Sequence, residues 1–189
     1  MSANYELDSI LEVLHRGGTI LYPTDTIWGI GCDATNAKAV ASIYRIKERV
    51  AEKSMIILVR DVEMLKQYVP EPPEIAFELI NSVSEPLTII YPGARNLPGN
   101  ILAADGSVAI RIPKHEFCET LLEVFGKPLS STSANVSGMP NPFSYRGVSE
   151  QVKSNVDFIV PYEQSMASRP KPSIIIKIDK KGEMHIIRN

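Results

Sequence analysis

The sequence predicts an α/β domain built on a twisted, open, mixed sheet flanked by helices, with residues 1–189 forming one unit. Three observations carry this expectation. Short, continuous apolar runs recur along the chain, as in Met55-Ile56-Ile57-Leu58-Val59, the pattern of strands covered on both faces. Between them lie stretches whose apolar residues repeat at helical spacing. Near the C-terminus two apolar runs flank a polar turn, a hairpin that adds antiparallel pairing to crossover-connected strands.

Taken in order, Leu7, Ile10, Leu11 and Leu14 mark a first helix, and Gly17-Gly18 supply a stop that tolerates positive φ. Residues 19–22 read as a buried strand ended by Pro23. A second helix is expected over 37–49, with Val40, Ile43 and Ile46 turned inward. The strand 55–59 follows, then helices at 62–68 and 74–82, punctuated by Pro70, Pro72 and Pro73. Residues 87–91 are the next strand, 92–106 a Gly/Pro-rich excursion and 108–112 a further strand. Phe117, Leu121, Val124 and Phe125 set a helix that Gly126 closes. Pro128-Leu129-Ser130 leads into a polar loop running to about residue 145. A short helix at 149–154, a strand at 158–160 and the hairpin 174–178/184–187 complete the chain.

At 189 residues, with 44% hydrophobic and 22% charged, the chain has enough apolar surface for a core without staples. Its two cysteines, Cys32 and Cys118, have no second Cys or His at ligand spacing, which argues against a structural zinc and fits a reducing compartment. The first residues show no basic stretch followed by an apolar run. Nor does any stretch approach the ~20 apolar residues that cross a bilayer. The expectation is a cytoplasmic protein with no membrane partner. A net charge of −2 exerts no strong pull on nucleic acid, although a local basic patch remains compatible with it.

The common catalytic signatures are absent: no G-x-x-x-x-G-K-[ST], no H-E-x-x-H, no G-x-S-x-G. What remains is polar residues crowded at strand ends, where α/β folds place ligands. Pro23-Thr24-Asp25-Thr26 offers two hydroxyls and a carboxylate, suited to a polar small molecule or, as a purely structural reading, to an Asx turn. Arg45-Ile46-Lys47-Glu48-Arg49 and Lys53 place four cations in nine positions. That is enough to neutralise a triphosphate of about four charges, or to form a solvated face. Ser130-Ser131-Thr132-Ser133-Ala134-Asn135-Val136-Ser137-Gly138 is dense in hydroxyls and small residues, as in a phosphate- or ribose-binding turn. Arg111 interrupts an apolar strand, so it requires an anion, either an internal partner or a ligand carboxylate.

In this order the four elements resemble the YrdC family, the L-threonylcarbamoyladenylate synthases of tRNA modification. The resemblance runs from Gly17-Gly18-Thr19 to Ile187-Arg188. It is carried by Tyr22-Pro23-Thr24-Asp25-Thr26-Ile27-Trp28-Gly29-Ile30-Gly31-Cys32-Asp33-Ala34, Lys47-Glu48-Arg49, Pro86-Leu87-Thr88, Val108-Ala109-Ile110-Arg111-Ile112-Pro113 and Ser131-Thr132-Ser133-Ala134-Asn135-Val136-Ser137-Gly138. It implies a nucleotidyltransferase. Threonine and bicarbonate form a carbamate whose oxygen attacks the α-phosphorus of ATP, releasing pyrophosphate and threonylcarbamoyl-AMP for downstream tRNA-modification proteins. ATP is then a substrate, Mg2+ is expected with the triphosphate, and no metal ligand of the protein is implied.

The resemblance assigns Thr26, Arg111, Ser131 and Ser173 to threonine, with Arg111 on its carboxylate and Ser131 acting through its backbone. It assigns Arg49, Lys53, Ser107, Ser133, Asn135 and Arg188 to the nucleotide, and Lys47, Arg49 and Arg111 to catalysis by positioning and charge neutralisation. The chain departs from the family pattern at Val50, Ser54, Leu58 and Ile174, and it stops at Asn189 without the further domain of longer relatives. Two other readings accompany this one: a double-stranded RNA or tRNA binding module of the same fold, and a paralogue acting on another small acid.

Overall fold

In the computed structural model, which describes residues 3–48, 55–161 and 171–189, the apolar runs assemble into one nine-stranded sheet. The elements are α1 (Ala3–His15), β1 (Ile20–Tyr22), β2 (Gly29–Gly31), α2 (Ala37–Ile46), β3 (Ile56–Leu58), α3 (Val62–Tyr68), α4 (Glu74–Ser82) and β4 (Leu87–Tyr91). They continue with β5 (Val108–Arg111), α5 (Glu116–Phe125), β6 (Leu129–Ser133), α6 (Glu150–Lys153), β7 (Phe158–Ile159), β8 (Ile174–Ile178) and β9 (Met184–Arg188). The strand order is β7-β1-β2-β6-β3-β5-β4-β8-β9. Pairs β1/β7, β3/β5 and β4/β8 are parallel and the remainder antiparallel, so the sheet is mixed. No described helix is long and apolar enough to cross a membrane.

Alternation along the strands sorts the core into two layers. Ile57, Val59, Ile89, Ile110 and Ile176 point to one face, where they meet Val40 and Ile43 of α2, Met64 and Leu65 of α3 and Ala76 of α4. Leu58 and Leu129 point to the other, against Ile10 and Leu14 of α1 and Leu121, Leu122 and Phe125 of α5. Each fully buried side chain of this size contributes roughly 1.5–3 kcal/mol, so the two layers supply the main driving force. Gly126, at φ 69°, closes α5 as the left-handed residue that a helix C-terminus favours.

Three local expectations need correction. The strand β2 was not expected, because Gly29-Ile30-Gly31 carries one apolar side chain and two strand-weakening glycines. Packing explains them: a Cβ on Gly31 would strike the Ser130 carbonyl and the Tyr22 ring, so only glycine lets β6 and Tyr22 close on this strand. The serine-rich segment read as a loop from Ser130 onward is strand β6 through Ser133, lying between β2 and β3. Finally, α2 ends at Ile46 rather than Arg49: Lys47 is its C-cap, and Glu48 adopts a positive φ of 49°.

Candidate functional site

The β1–β2 hairpin loop, residues 23–28, folds over the sheet face that α1 and α5 leave bare. Under it lies a cavity of about 290 Å3. Ile56, Ile90, Ala109 and Ile175 form an apolar floor on four neighbouring strands, and polar groups converge on it from the rim. Of the residues singled out from the sequence, Thr26, Arg111, Ser131, Ser133, Ser173 and Arg188 line this one cavity. They come from five separate segments, and only the sheet register brings them together.

Arg111 stands at the C-terminal end of β5 and is 4% exposed. Its Nη1 donates to Thr26 Oγ1 at 3.1 Å, and its Nη2 lies 3.5 Å from Asp25 Oδ1. Its Nε has no hydrogen-bond partner among the described residues. Thr26 is itself oriented. Thr24 Oγ1 accepts from the Thr26 backbone N–H at 3.1 Å and donates its proton to the Ile27 carbonyl at 2.8 Å. The 2.9 Å contact between the two hydroxyls therefore runs from Thr26 to Thr24, leaving Thr26 Oγ1 as an acceptor for Arg111 and for one further donor.

Opposite stands a second guanidinium. Arg188 donates from Nε to the Ser173 carbonyl at 2.9 Å and from Nη2 to Ser173 Oγ at 3.1 Å, while Ser173 Oγ also bonds Thr88 Oγ1 at 2.8 Å. Burial, and then the nearby Arg111 charge, lower the Arg188 pKa from its ordinary value. Two cations turned on one cavity form a site for anions.

Lys47 takes a different place from the one expected. Buried to 2% exposure, its ammonium donates to the Ser133 carbonyl, to the Asn135 carbonyl at 2.7 Å and to Asn135 Oδ1 at 3.2 Å. It holds the end of β6 in place and does not line the cavity. Asn135 spends its amide within the turn after β6, donating to the Met139 carbonyl at 2.5 Å. Ser107 sits at the start of β5 with its hydroxyl 2.5 Å from Asp105, which also accepts from Lys177 at 2.7 Å. These bonds hold the Asp105 carboxyl well below the usual carboxylate range. Arg49 and Lys53 lie outside the described residues.

Thr24, one of the two hydroxyls singled out in the Pro23-Thr24-Asp25-Thr26 cluster, lines the cavity as well, whereas sequence reasoning gave no role to Trp28 and Asn141, which also line it. Trp28 had a local signal, its place in the same short segment as Thr26. Asn141 had none: its loop is brought over the cavity by the packing of Tyr145 on Trp28, ring centroids 5.4 Å apart, with Lys153 Nζ 4.6 Å above the Tyr145 ring.

The lining described here contains no Asp, Glu, His or Cys. Burial raises the thiols of Cys32, to about 12, and of Cys118, so neither is poised as a nucleophile. The arrangement suits anion binding and charge stabilisation rather than covalent or acid–base catalysis. For a hard divalent cation the described lining offers hydroxyl and carbonyl oxygens without a carboxylate. It therefore does not make a magnesium site of its own.

Comparison with known proteins bears directly on this cavity. The family model for the Sua5/YciO/YrdC domain, described as telomere recombination, matches residues 12–189. The chain belongs to this family. A threonylcarbamoyl-AMP synthase of Pseudoalteromonas translucida is 30% identical over 178 residues, covering 93% of this chain and 94% of that protein. Among solved structures, the H234A/Y235A variant of P. abyssi Sua5 superposes with a TM-score of 0.88 at 28% identity over 97% of this chain. P. abyssi Sua5 complexed with L-threonine superposes at 0.82, with 28% identity over 92% of this chain. The chain spans about half the length of those Sua5 chains, 56% and 51% respectively. The Sua5-like architecture places the cavity on the open face of the shared sheet.

Proposed function

We propose that the protein is a threonylcarbamoyl-AMP synthase, forming threonylcarbamoyl-AMP from L-threonine, bicarbonate and ATP with release of pyrophosphate. The observation that carries the reading is the convergence of two guanidiniums, the buried Arg111 and the exposed Arg188, on one cavity in a chain whose relatives carry that name. Arg111 takes the threonine carboxylate through Nε and its remaining Nη protons. A charge-assisted bond of this kind contributes roughly 1.5–3 kcal/mol. Thr26 Oγ1 accepts from the threonine ammonium or hydroxyl, and Ser131 and Ser173 complete the amino-acid end.

The nucleotide lies toward Ser133, Asn141 and Arg188, with Arg49 and Lys53 assigned to its phosphates. The carbamate oxygen attacks the α-phosphorus and forms a P–O bond as the bond to the pyrophosphate oxygen breaks. Fixed cations stabilise the charge that develops, and positioning supplies most of the acceleration. Magnesium enters as a companion of the triphosphate. Lys47 acts by holding the turn that presents Ser133. The product then passes to proteins that transfer the threonylcarbamoyl group to adenosine in tRNA.

The test is pyrophosphate release measured with each substrate omitted in turn. Release is expected only when threonine, bicarbonate and ATP are all present. Background release in every mixture removes the reading, and release driven by a different amino acid reassigns the chain to another small acid. Within the same assay, Arg49→Ala is expected to raise the KM for ATP at least about tenfold and to leave that for threonine within about twofold.

A further inference from the structure

The Asp25 carboxylate is 5% exposed and faces Arg111, which is 4% exposed, yet the contact is loose: 3.5 Å from Nη2 to Oδ1. Oδ1 makes no hydrogen bond among the described residues, while Oδ2 is anchored by the Lys114 backbone N–H at 3.3 Å. Buried ion pairs stabilise a fold only when their remaining lone pairs and protons are satisfied. Here one oxygen and the Arg111 Nε are both left over. Such a pair is a poor device for stability. It is a sensible one for holding a cation ready for a third charged group.

We propose that Asp25 is the positioning residue of the anion site: a buried counter-ion that sets the plane of the Arg111 guanidinium. Thr26 takes one corner of that plane by hydrogen bond and Asp25 a second by charge, both from the β1–β2 loop. The loop is tied down by Thr24 on the Ile27 carbonyl and by Lys114 on Asp25. The guanidinium is left with its Nε edge for a ligand carboxylate. Asp25 does not line the cavity and touches no reacting atom; it acts through Arg111. Its charge also offsets the cost of burying Arg111 when no ligand is bound. The proposal rests on the assignment of the threonine carboxylate to Arg111.

Steady-state kinetics of Asp25→Asn, Asp25→Glu, Arg111→Gln and the double variant Asp25→Asn/Arg111→Gln test this. Asp25→Asn keeps the shape and removes the charge. It is expected to raise the threonine KM at least about tenfold, with kcat within about threefold and the ATP KM within about twofold. Asp25→Glu, which keeps the charge on a longer arm, is expected to fall between wild type and Asn. Because Asp25 acts only through Arg111, the double variant should share the threonine KM of Arg111→Gln to within about twofold. That comparison stands even if Asp25→Asn alone fails to fold, since the double variant leaves no unpaired buried charge. An unchanged threonine KM in Asp25→Asn, a further rise in the double variant, or an equal rise for ATP overturns the proposal. Absence of threonine-dependent turnover in the wild type overturns instead the functional reading beneath it.

Discussion

At the scale of single residues, the cavity is governed by one buried cation, Arg111, and one exposed cation, Arg188. Arg111 is held by the Thr26 hydroxyl and the loose Asp25 contact and Arg188 by Ser173, which leaves N–H groups unspent for a ligand. Arg111→Gln is expected to raise the threonine KM by about a hundredfold and the ATP KM by less than about fivefold, read from initial rates. His115 adds a pH dependence of stability. Burial lowers its pKa below the ordinary 6.5, against the opposing charges of Asp25, Glu119 and Glu116. The folded state therefore favours neutral imidazole. As pH falls below about 6.5 the unfolded chain takes up the proton first, and stability is lost on the acid side of that value. Urea denaturation at pH 7.5 and 5.5 should show this loss, and His115→Asn should diminish it.

At the scale of elements, two contacts decide whether the sheet can form around the site. Gly31 in β2 sits where any Cβ meets the Ser130 carbonyl and the Tyr22 ring, within the β1–β2–β6 ribbon. Gly31→Ala should cost about 3 kcal/mol or more in urea denaturation, because backbone rather than a flexible side-chain tip must move. Lys47, the C-cap of α2, gives its ammonium to three oxygens at the end of β6 and the turn after it. Lys47→Met should cost about 2–4 kcal/mol. It should weaken ATP binding more than threonine binding, because the displaced turn carries Ser133.

At the scale of the whole molecule, a single sheet with a core layer on each face should unfold in one transition. Saturating ATP or threonine should shift that transition as a unit, by about 2.7 kcal/mol at a hundredfold excess over Kd. Trp28, the only tryptophan in the chain, lines the cavity, so its fluorescence should report ligand binding and unfolding alike. Two transitions, or a ligand shift confined to one of them, would contradict this. The α/β class, the main helices and most strands were legible in the sequence because each is a local pattern of period 2 or 3.6, or a short apolar run. Arg111 was legible too, since a cation amid Val108, Ala109 and Ile110 demands an anion wherever the strand lies. The strand β2, the extent of β6, the inward turn of Lys47 and the arrival of Asn141 were not. Each depends on neighbours distant in the chain: Ser130 and Tyr22 for Gly31, the Ser133 carbonyl for Lys47, the Trp28–Tyr145 contact for Asn141. Local propensity determines which segments become helix or strand. Which polar groups share a cavity is settled only when strands pair in register and buried donors find their acceptors.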